Sequence, residues 1–141
     1  MNPLTLIENA CLLVGRFLLG LYFIVPGISK IADYEGTAAY MAEHSVPLIG
    51  VLLPLTILMQ IGLGATLIAG FKGQVAAFLL AGLTLMINLF MHNFWAMEEG
   101  LQQRHEMQNF IKNLAIMAGL LFVAGTGSGR LSLDARLAAK A

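Results

Sequence analysis

Four long apolar runs, separated by short polar segments, dominate the chain. The runs cover about residues 10–32, 46–70, 74–97 and 110–129. Each is close to the roughly 20 apolar residues that an α-helix needs to cross the hydrocarbon core of a bilayer. The pattern therefore predicts an all-α fold, an integral membrane bundle of four transmembrane helices, in a single domain over residues 1–141.

The polar segments between the runs differ in character. Residues 34–44 combine two tyrosines with acidic residues and His44, which predicts a short amphipathic helix at the membrane surface. Phe71 to Gly73 predicts a tight turn, whereas the charged residues from Glu98 to Gln108 predict a loop. The glycines at 125, 127 and 129 predict the end of the fourth helix, and the tail from Arg130 predicts an interfacial segment.

Composition supports a membrane protein. Charged residues make up 11% of the chain and hydrophobic residues 58%, with a mean hydropathy of +0.79. Soluble domains carry about 25% charged residues, so this chain could not cover a water-facing surface with charge. The eight basic residues balance the eight acidic residues. We therefore expect a lipid bilayer and no nucleic acid as the partner.

The first 30 residues and the single cysteine exclude some further classes. The N-terminus has no basic n-region, and Arg16 interrupts the first apolar run, so we expect no cleaved signal peptide. Cys11 is the only cysteine. The chain therefore cannot form an intrachain disulfide or a Cys-x-x-Cys redox pair.

The basic residues predict the orientation of the bundle. Four spans place both termini on one side of the membrane. That side would hold most of the basic residues, namely Lys72, Arg130, Arg136 and Lys140, with Arg16 nearby. The other side would hold Lys30, Arg104 and Lys112. Because basic residues concentrate on the cytoplasmic side, we expect both termini to be cytoplasmic.

Arg16 and the small residues indicate contacts between helices. A charge several residues inside an apolar run is costly in lipid, so we expect Arg16 to face the bundle interior and pair with polar groups or carbonyls. The alternative is that it snorkels to the interface. Small residues recur at 62–69 and at 115–119, and such seams allow close helix approach. They also predict self-association into a homo-oligomer.

Most side chains suited to chemistry lie where the third and fourth runs meet. Helical spacing predicts one shared face for Asn88, His92, Trp95 and Glu99. It predicts another for Asn109, Lys112, Asn113 and Ile116. A helical hairpin would bring these two faces together at the membrane surface that also holds Lys30. We therefore predict a ligand-binding site formed by Lys30, His92, Trp95, Asn109, Lys112 and Asn113.

Flat rings, an imidazole and cationic donors would suit a quinone or quinol headgroup. Aromatic rings can stack on the ligand, cations can bind its oxygens, and His92 can carry a proton. The same side chains would also suit a lipid headgroup or a partner's loop. A metal site is less favoured, because no two of the three histidines have the i, i+4 spacing of a helix-borne site. We expect no intrinsic cofactor and assign no catalytic residue.

Two motifs resemble the DoxX family of membrane proteins. The first consists of Gly15, Arg16, Phe17 and Gly20, followed by Phe23, Pro26, Gly27 and Lys30. The second consists of His92, Asn93, Phe94 and Trp95, followed by Asn109, Phe110, Lys112, Asn113 and Gly119. The resemblance covers nearly the whole chain. It implies a small four-helix protein of the bacterial inner membrane, similar to the small subunit of a thiosulfate:quinone oxidoreductase.

The resemblance leaves the function open, since distant relatives include a cargo receptor and receptor-assembly chaperones. One interpretation is a membrane subunit or accessory of a quinone-linked oxidoreductase or oxidant-response system, with electrons supplied by a redox partner protein. Another is a non-catalytic scaffold or chaperone for a partner protein. A small-solute carrier is less favoured, because no Gly/Pro-broken helix pair recurs in the two halves.

Overall fold

The fold consists almost entirely of α-helices. A computed structural model describes residues 2–141. In chain order the helices are α1 (Pro3–Ala32), α2 (Tyr34–Glu43), α3 (Ile49–Ala69), α4 (Gly73–Met91), α5 (Leu101–Thr126) and α6 (Leu133–Ala138). The helices α1, α3, α4 and α5 are long and apolar enough to cross a membrane, which confirms the predicted fold class. The short helix predicted at the membrane surface is α2.

Two helices begin earlier than the apolar runs do. Asn2 caps α1, because its Oδ1 accepts a hydrogen bond from the Leu4 amide at 3.2 Å, and Pro3 suits a first helical turn. At the other junction, α4 ends at Met91 and α5 starts at Leu101. The predicted loop from Glu98 to Gln108 was therefore wrong beyond residue 100. Its Gln, Arg, Glu and Met residues are polar but favour helix, and they form the first turns of α5.

Glycines set the closest approach in the bundle, between α1 and α3. A Cβ atom added to Gly20 would lie 2.7 Å from the carbonyl oxygen of Gly64, closer than real Cβ contacts allow. Gly27 approaches Gln60 and Ile61 in the same way. The helix α4 packs on α3 and on α5 around a buried core that includes Phe23, Leu67, Ala77, Leu80 and Leu120. These contacts fix the relative positions of α1, α3, α4 and α5.

Some small residues are used within the bundle and others face outward. Gly64 packs on α1, and Gly119 lies against Leu19 at the distance of ordinary van der Waals contact. Gly62, on the other hand, has open space around its Cα, and Ala65 is exposed. The outward-facing part of this seam remains available to another helix, so self-association stays a prediction.

Arg16 ties α1 to α3 and to the C-terminal segment. Its side chain is fully buried, and its guanidinium donates hydrogen bonds to three backbone carbonyls. The acceptors are Leu67 at 3.2 Å, Ile68 at 3.1 Å and Leu131 at 2.6 Å. The first two belong to the last turn of α3, where carbonyls lack intrahelical donors. The predicted interior position of Arg16 is thus confirmed.

The segment after α5 docks on the turn between α3 and α4. The Asp134 carboxylate accepts hydrogen bonds from the backbone amides of Lys72 and Gly73, at 2.7 and 3.1 Å, and from Ser128. Burial raises the pKa of Asp134, but these donors and the nearby Arg16 charge outweigh it and hold the pKa below its usual value. We call this region the terminal end of the bundle, and the opposite end, where α1 meets α2 and α4 meets α5, the loop end.

Candidate functional site

A cavity of about 700 Å³ opens at the loop end of the bundle. It lies between the second half of α1, the amphipathic helix α2, the first half of α3 and the end of α4. Its walls are mostly apolar, with a few polar groups from each helix. The polar and charged lining residues include Tyr22, Ser29, Lys30, Asp33, Thr37, Tyr40, Thr56, Gln60, Thr84, His92 and Asn113.

The structure brings three of the six predicted ligand-binding residues to this cavity. Lys30 arrives from α1, His92 from the end of α4 and Asn113 from α5. The other three lie outside its lining. Trp95 is 55% exposed, Lys112 is exposed, and Asn109 is half-buried beside Lys112, whose amine donates to it at 3.2 Å. The site that the structure forms therefore extends toward α1 and α3 rather than along the α4–α5 junction.

The prediction that Asn88, His92, Trp95 and Glu99 share one helix face was wrong. The helix α4 ends at Met91, His92 is its C-cap, and Trp95 belongs to a separate 3₁₀ turn, Phe94–Ala96. Asn93 follows the cap, and asparagine competes with helix by bonding to nearby backbone. The ring of Trp95 packs edge-on against Phe94 and Phe110, with centroids 5.4 and 5.6 Å away. This cluster suits the membrane interface.

His92 is held by a buried carboxylate. Its Nδ1 lies 2.6 Å from Oε2 of Glu106, which is only 5% exposed. Glu106 also accepts hydrogen bonds from the amides of Gln102 at 3.2 Å and Asn109 at 3.3 Å. An ionised carboxylate only accepts, so His92 donates its Nδ1 proton and leaves Nε2 as its second polar atom. Glu106 thereby fixes both the tautomer and the orientation of the imidazole.

A second polar network forms the floor of the cavity. The side-chain amide of Asn113 donates to Oδ1 of Asn88 at 2.8 Å, and Asn88 donates to the Phe110 carbonyl at 3.1 Å. The Tyr22 hydroxyl donates to Oδ1 of Asn113 at 2.8 Å. The network joins α1, α4 and α5. Because Asn88 is fully buried, each partner lost would leave a buried polar group unpaired.

Gln60 contributes a polar group without a partner. The side chain lines the cavity and is only 4% exposed, and its Oε1 has no hydrogen-bond partner within residues 2–141. An unpaired buried acceptor is destabilising by roughly 1–3 kcal/mol. Such a group in a cavity wall is typical of a position that a ligand or water satisfies.

Sequence reasoning did not assign Glu106, Gln60 or Tyr22 to the site, although two of them carried a signal. Tyr22, Pro26 and Lys30 lie at i, i+4 and i+8, on one face of α1. Four residues of α5 repeat at i, i+4, i+7 and i+11, namely Gln102, Glu106, Asn109 and Asn113. Starting the fourth helix at residue 101 would have revealed that stripe. Gln60 is a lone polar residue in its run, and spacing gives no hint of its partner helix.

The three histidines have different surroundings. Nδ1 of His44 lies 2.9 Å from the Tyr40 carbonyl of its own helix, His92 pairs with Glu106, and His105 is exposed. Across residues 2–141 no group of three or more His, Cys, Asp or Glu side chains is arranged to hold a metal ion. The polar chemistry of the cavity therefore consists of hydrogen-bonding groups and the Lys30 amine.

Comparison with known proteins identifies relatives of similar length. The sequence profile of the DoxX family matches residues 11–93. The chain is 38% identical to inner membrane protein YqjF of Escherichia coli over 128 residues, which cover 91% of this chain and 92% of YqjF. It is 32% identical to inner membrane protein YphA of E. coli over 125 residues, 89% of each chain.

A shorter match is to the ER-derived vesicles protein ERV29 of Saccharomyces cerevisiae. The two chains are 32% identical over 65 residues, which cover 46% of this chain and 21% of ERV29. No solved structure is significantly similar to the chain.

Proposed function

Because the chain belongs to the DoxX family and is a four-span inner membrane protein, we propose that its loop-end cavity binds the headgroup of a quinone or quinol from the bilayer. The observation that carries this proposal is the convergence of Lys30, His92 and Gln60 on one largely apolar cavity. In this role the protein is a membrane subunit or accessory of a quinone-linked oxidoreductase or oxidant-response system.

The dimensions of the cavity support a ligand of this size. Small-molecule sites typically enclose about 300–1,000 Å³ and combine apolar walls with a few well-placed polar groups. The cavity, at about 700 Å³, falls within that range. Phe23 and Ile87 supply apolar surface for a flat ring, and the polar groups stand on separate helices around it.

The polar groups suit the two oxygens of a quinoid ring. The Lys30 amine can donate to one ring oxygen, and its charge favours an oxygen that becomes more negative on reduction. His92 can exchange a proton through Nε2 while Glu106 holds Nδ1. The proton-carrying group and the cation reach the cavity from different helices, α4 and α1.

Electron transfer in this proposal involves a redox partner protein. The exposed Cys11 is the only cysteine, so the chain cannot itself cycle between a dithiol and an internal disulfide. We therefore assign to this chain the binding and protonation of the quinone, and to the partner the supply or removal of electrons.

We also propose that the termini are cytoplasmic and the cavity lies toward the outer face of the membrane. The terminal end of the bundle holds five of the eight basic residues, namely Arg16, Lys72, Arg130, Arg136 and Lys140. Reporter fusions after Lys72 and after Gln103 should give opposite locations, with Lys72 in the cytoplasm. Fusions that report the same side, or Lys72 outside, would refute this orientation.

Binding of decylubiquinone to the purified protein in lipid nanodiscs tests the proposed ligand. His92→Ala and Lys30→Met should each weaken binding about ten-fold, because each removes a group that contacts a ligand oxygen. Lys112→Ala, a matched cationic control outside the cavity lining, should retain the wild-type affinity. Thermal melting of each variant separates lost contacts from lost folding.

Two outcomes would favour other functions. Equal affinity in all four proteins, with folding intact, would contradict the proposed site. A bundle that binds no quinone but co-purifies stoichiometrically with one membrane protein would instead favour the scaffold. A phospholipid added as competitor, at the same concentration as decylubiquinone, distinguishes a lipid-headgroup site from a quinone site.

A further inference from the structure

The polar atoms that line the cavity accept far more hydrogen bonds than they can donate. From this imbalance we infer that the cavity binds the reduced, hydroxyl-bearing form of its ligand, the quinol, in preference to the quinone. The inference rests on the proposed quinone or quinol ligand and specifies which form the site selects.

Hydroxyl groups in the walls have already spent their hydrogens on the protein. Ser29 donates to the Val25 carbonyl at 3.1 Å, and Thr84 donates to the Leu80 carbonyl at 2.8 Å. Thr37 donates in the same way to the Asp33 carbonyl at 2.8 Å. Each hydroxyl bonds four residues back along its helix, so only oxygen lone pairs remain for a ligand.

Three further groups add acceptors. His92 gives its Nδ1 proton to Glu106, so neutral His92 presents an unprotonated Nε2. Oε1 of Gln60 is buried and unpaired. Pro26 has no amide hydrogen, so the carbonyl four residues earlier, that of Tyr22, lacks its helical donor.

The opposing supply of donors is small. Lys30 is the only lysine or arginine among the described residues that line the cavity, and Thr56 adds one hydroxyl. The Tyr22 hydroxyl donates to Asn113, so its hydrogen is also used. Lys30 can bind an oxygen of either ligand form and therefore does not discriminate between them.

A quinol matches this wall and a quinone does not. The quinol brings two O–H donors, whereas both quinone oxygens are acceptors and would face lone pairs with no hydrogen between them. In a cavity shielded from water, an acceptor that faces an acceptor loses its hydrogen bond and gains repulsion. The difference predicts that the quinol binds at least about ten-fold more tightly than the quinone.

The test compares decylubiquinol with decylubiquinone on the same protein in nanodiscs, with pre-reduced ligand under argon. We expect the quinol to bind at least about ten-fold more tightly. Thr84→Val removes one wall acceptor and keeps the shape of the side chain, so it should lower the preference about three-fold by weakening quinol binding alone. Gln60→Met should act in the same direction by removing Oε1.

Thr66→Val is the matched control. Thr66 also donates its hydroxyl hydrogen within its helix, to Leu63 at 3.0 Å, but lies outside the cavity lining. It should leave both affinities unchanged. Equal affinities for the two forms, or an equal loss of both in Thr84→Val and Gln60→Met, would overturn the preference while leaving quinone binding in place. Binding of neither form would overturn the proposed function as well.

Discussion

Replacing Arg16 with leucine is expected to lower the free energy of unfolding by about 3 kcal/mol and to reduce the amount of folded protein in the membrane. Arg16 is fully buried and donates to carbonyls of Leu67, Ile68 and Leu131. Leucine would leave these carbonyls without donors and detach the C-terminal segment from α1. The effect is large because one side chain connects three parts of the chain.

Melting temperature and membrane yield of Arg16→Leu measure this loss. Arg104→Leu is the control, since Arg104 is an exposed arginine near the start of α5. Substituting it should change the melting temperature little. Wild-type yield and melting temperature in Arg16→Leu would mean that the buried guanidinium contributes nothing to folding.

Gly20→Val is expected to separate α1 from α3 and to destabilise the bundle by roughly 2–3 kcal/mol. A Cβ on Gly20 would lie 2.7 Å from a backbone oxygen, that of Gly64, which cannot rotate away as a side chain can. Separation of these helices would also disturb the cavity, because α1 carries Lys30 and α3 carries Gln60. Quinone binding should therefore fall together with stability.

Gly15→Val provides a control on the same helix, because nothing lies within 4 Å of a Cβ built on Gly15. We expect its unfolding transition, followed by circular dichroism in mild detergent, to stay near that of the wild type. A Gly20→Val protein that melts with the control would show that α1 and α3 do not pack as closely as described.

The sequence predicted the features that depend on one element at a time. Run length alone identified four spans, since the thickness of a bilayer sets the length of a spanning helix. The cost of a charge in lipid placed Arg16 inside the bundle, and its carbonyl contacts confirm that reasoning. Helical spacing of the polar residues similarly identified α2 at the loop end.

Features that depend on helix ends or on pairs of helices were not predictable in this way. Polar residues before Asn109 were taken as loop, although their intrinsic preference is helical, and this concealed the pairing of Glu106 with His92. Gln60 and Tyr22 reach the cavity from α3 and α1. Only the glycine-mediated packing of those helices brings them together, and a periodic pattern in one run carries no information about its neighbour.

Photoaffinity labelling with an azido-quinone, followed by mass spectrometry of the labelled peptides, tests the central claim most directly. If the loop-end cavity binds the quinone headgroup, label should concentrate in residues 22–41 and 84–92. Excess decylubiquinone should abolish it, and His92→Ala should reduce it. Label spread over the exposed apolar faces of the four spans, unaffected by decylubiquinone, would contradict the claim.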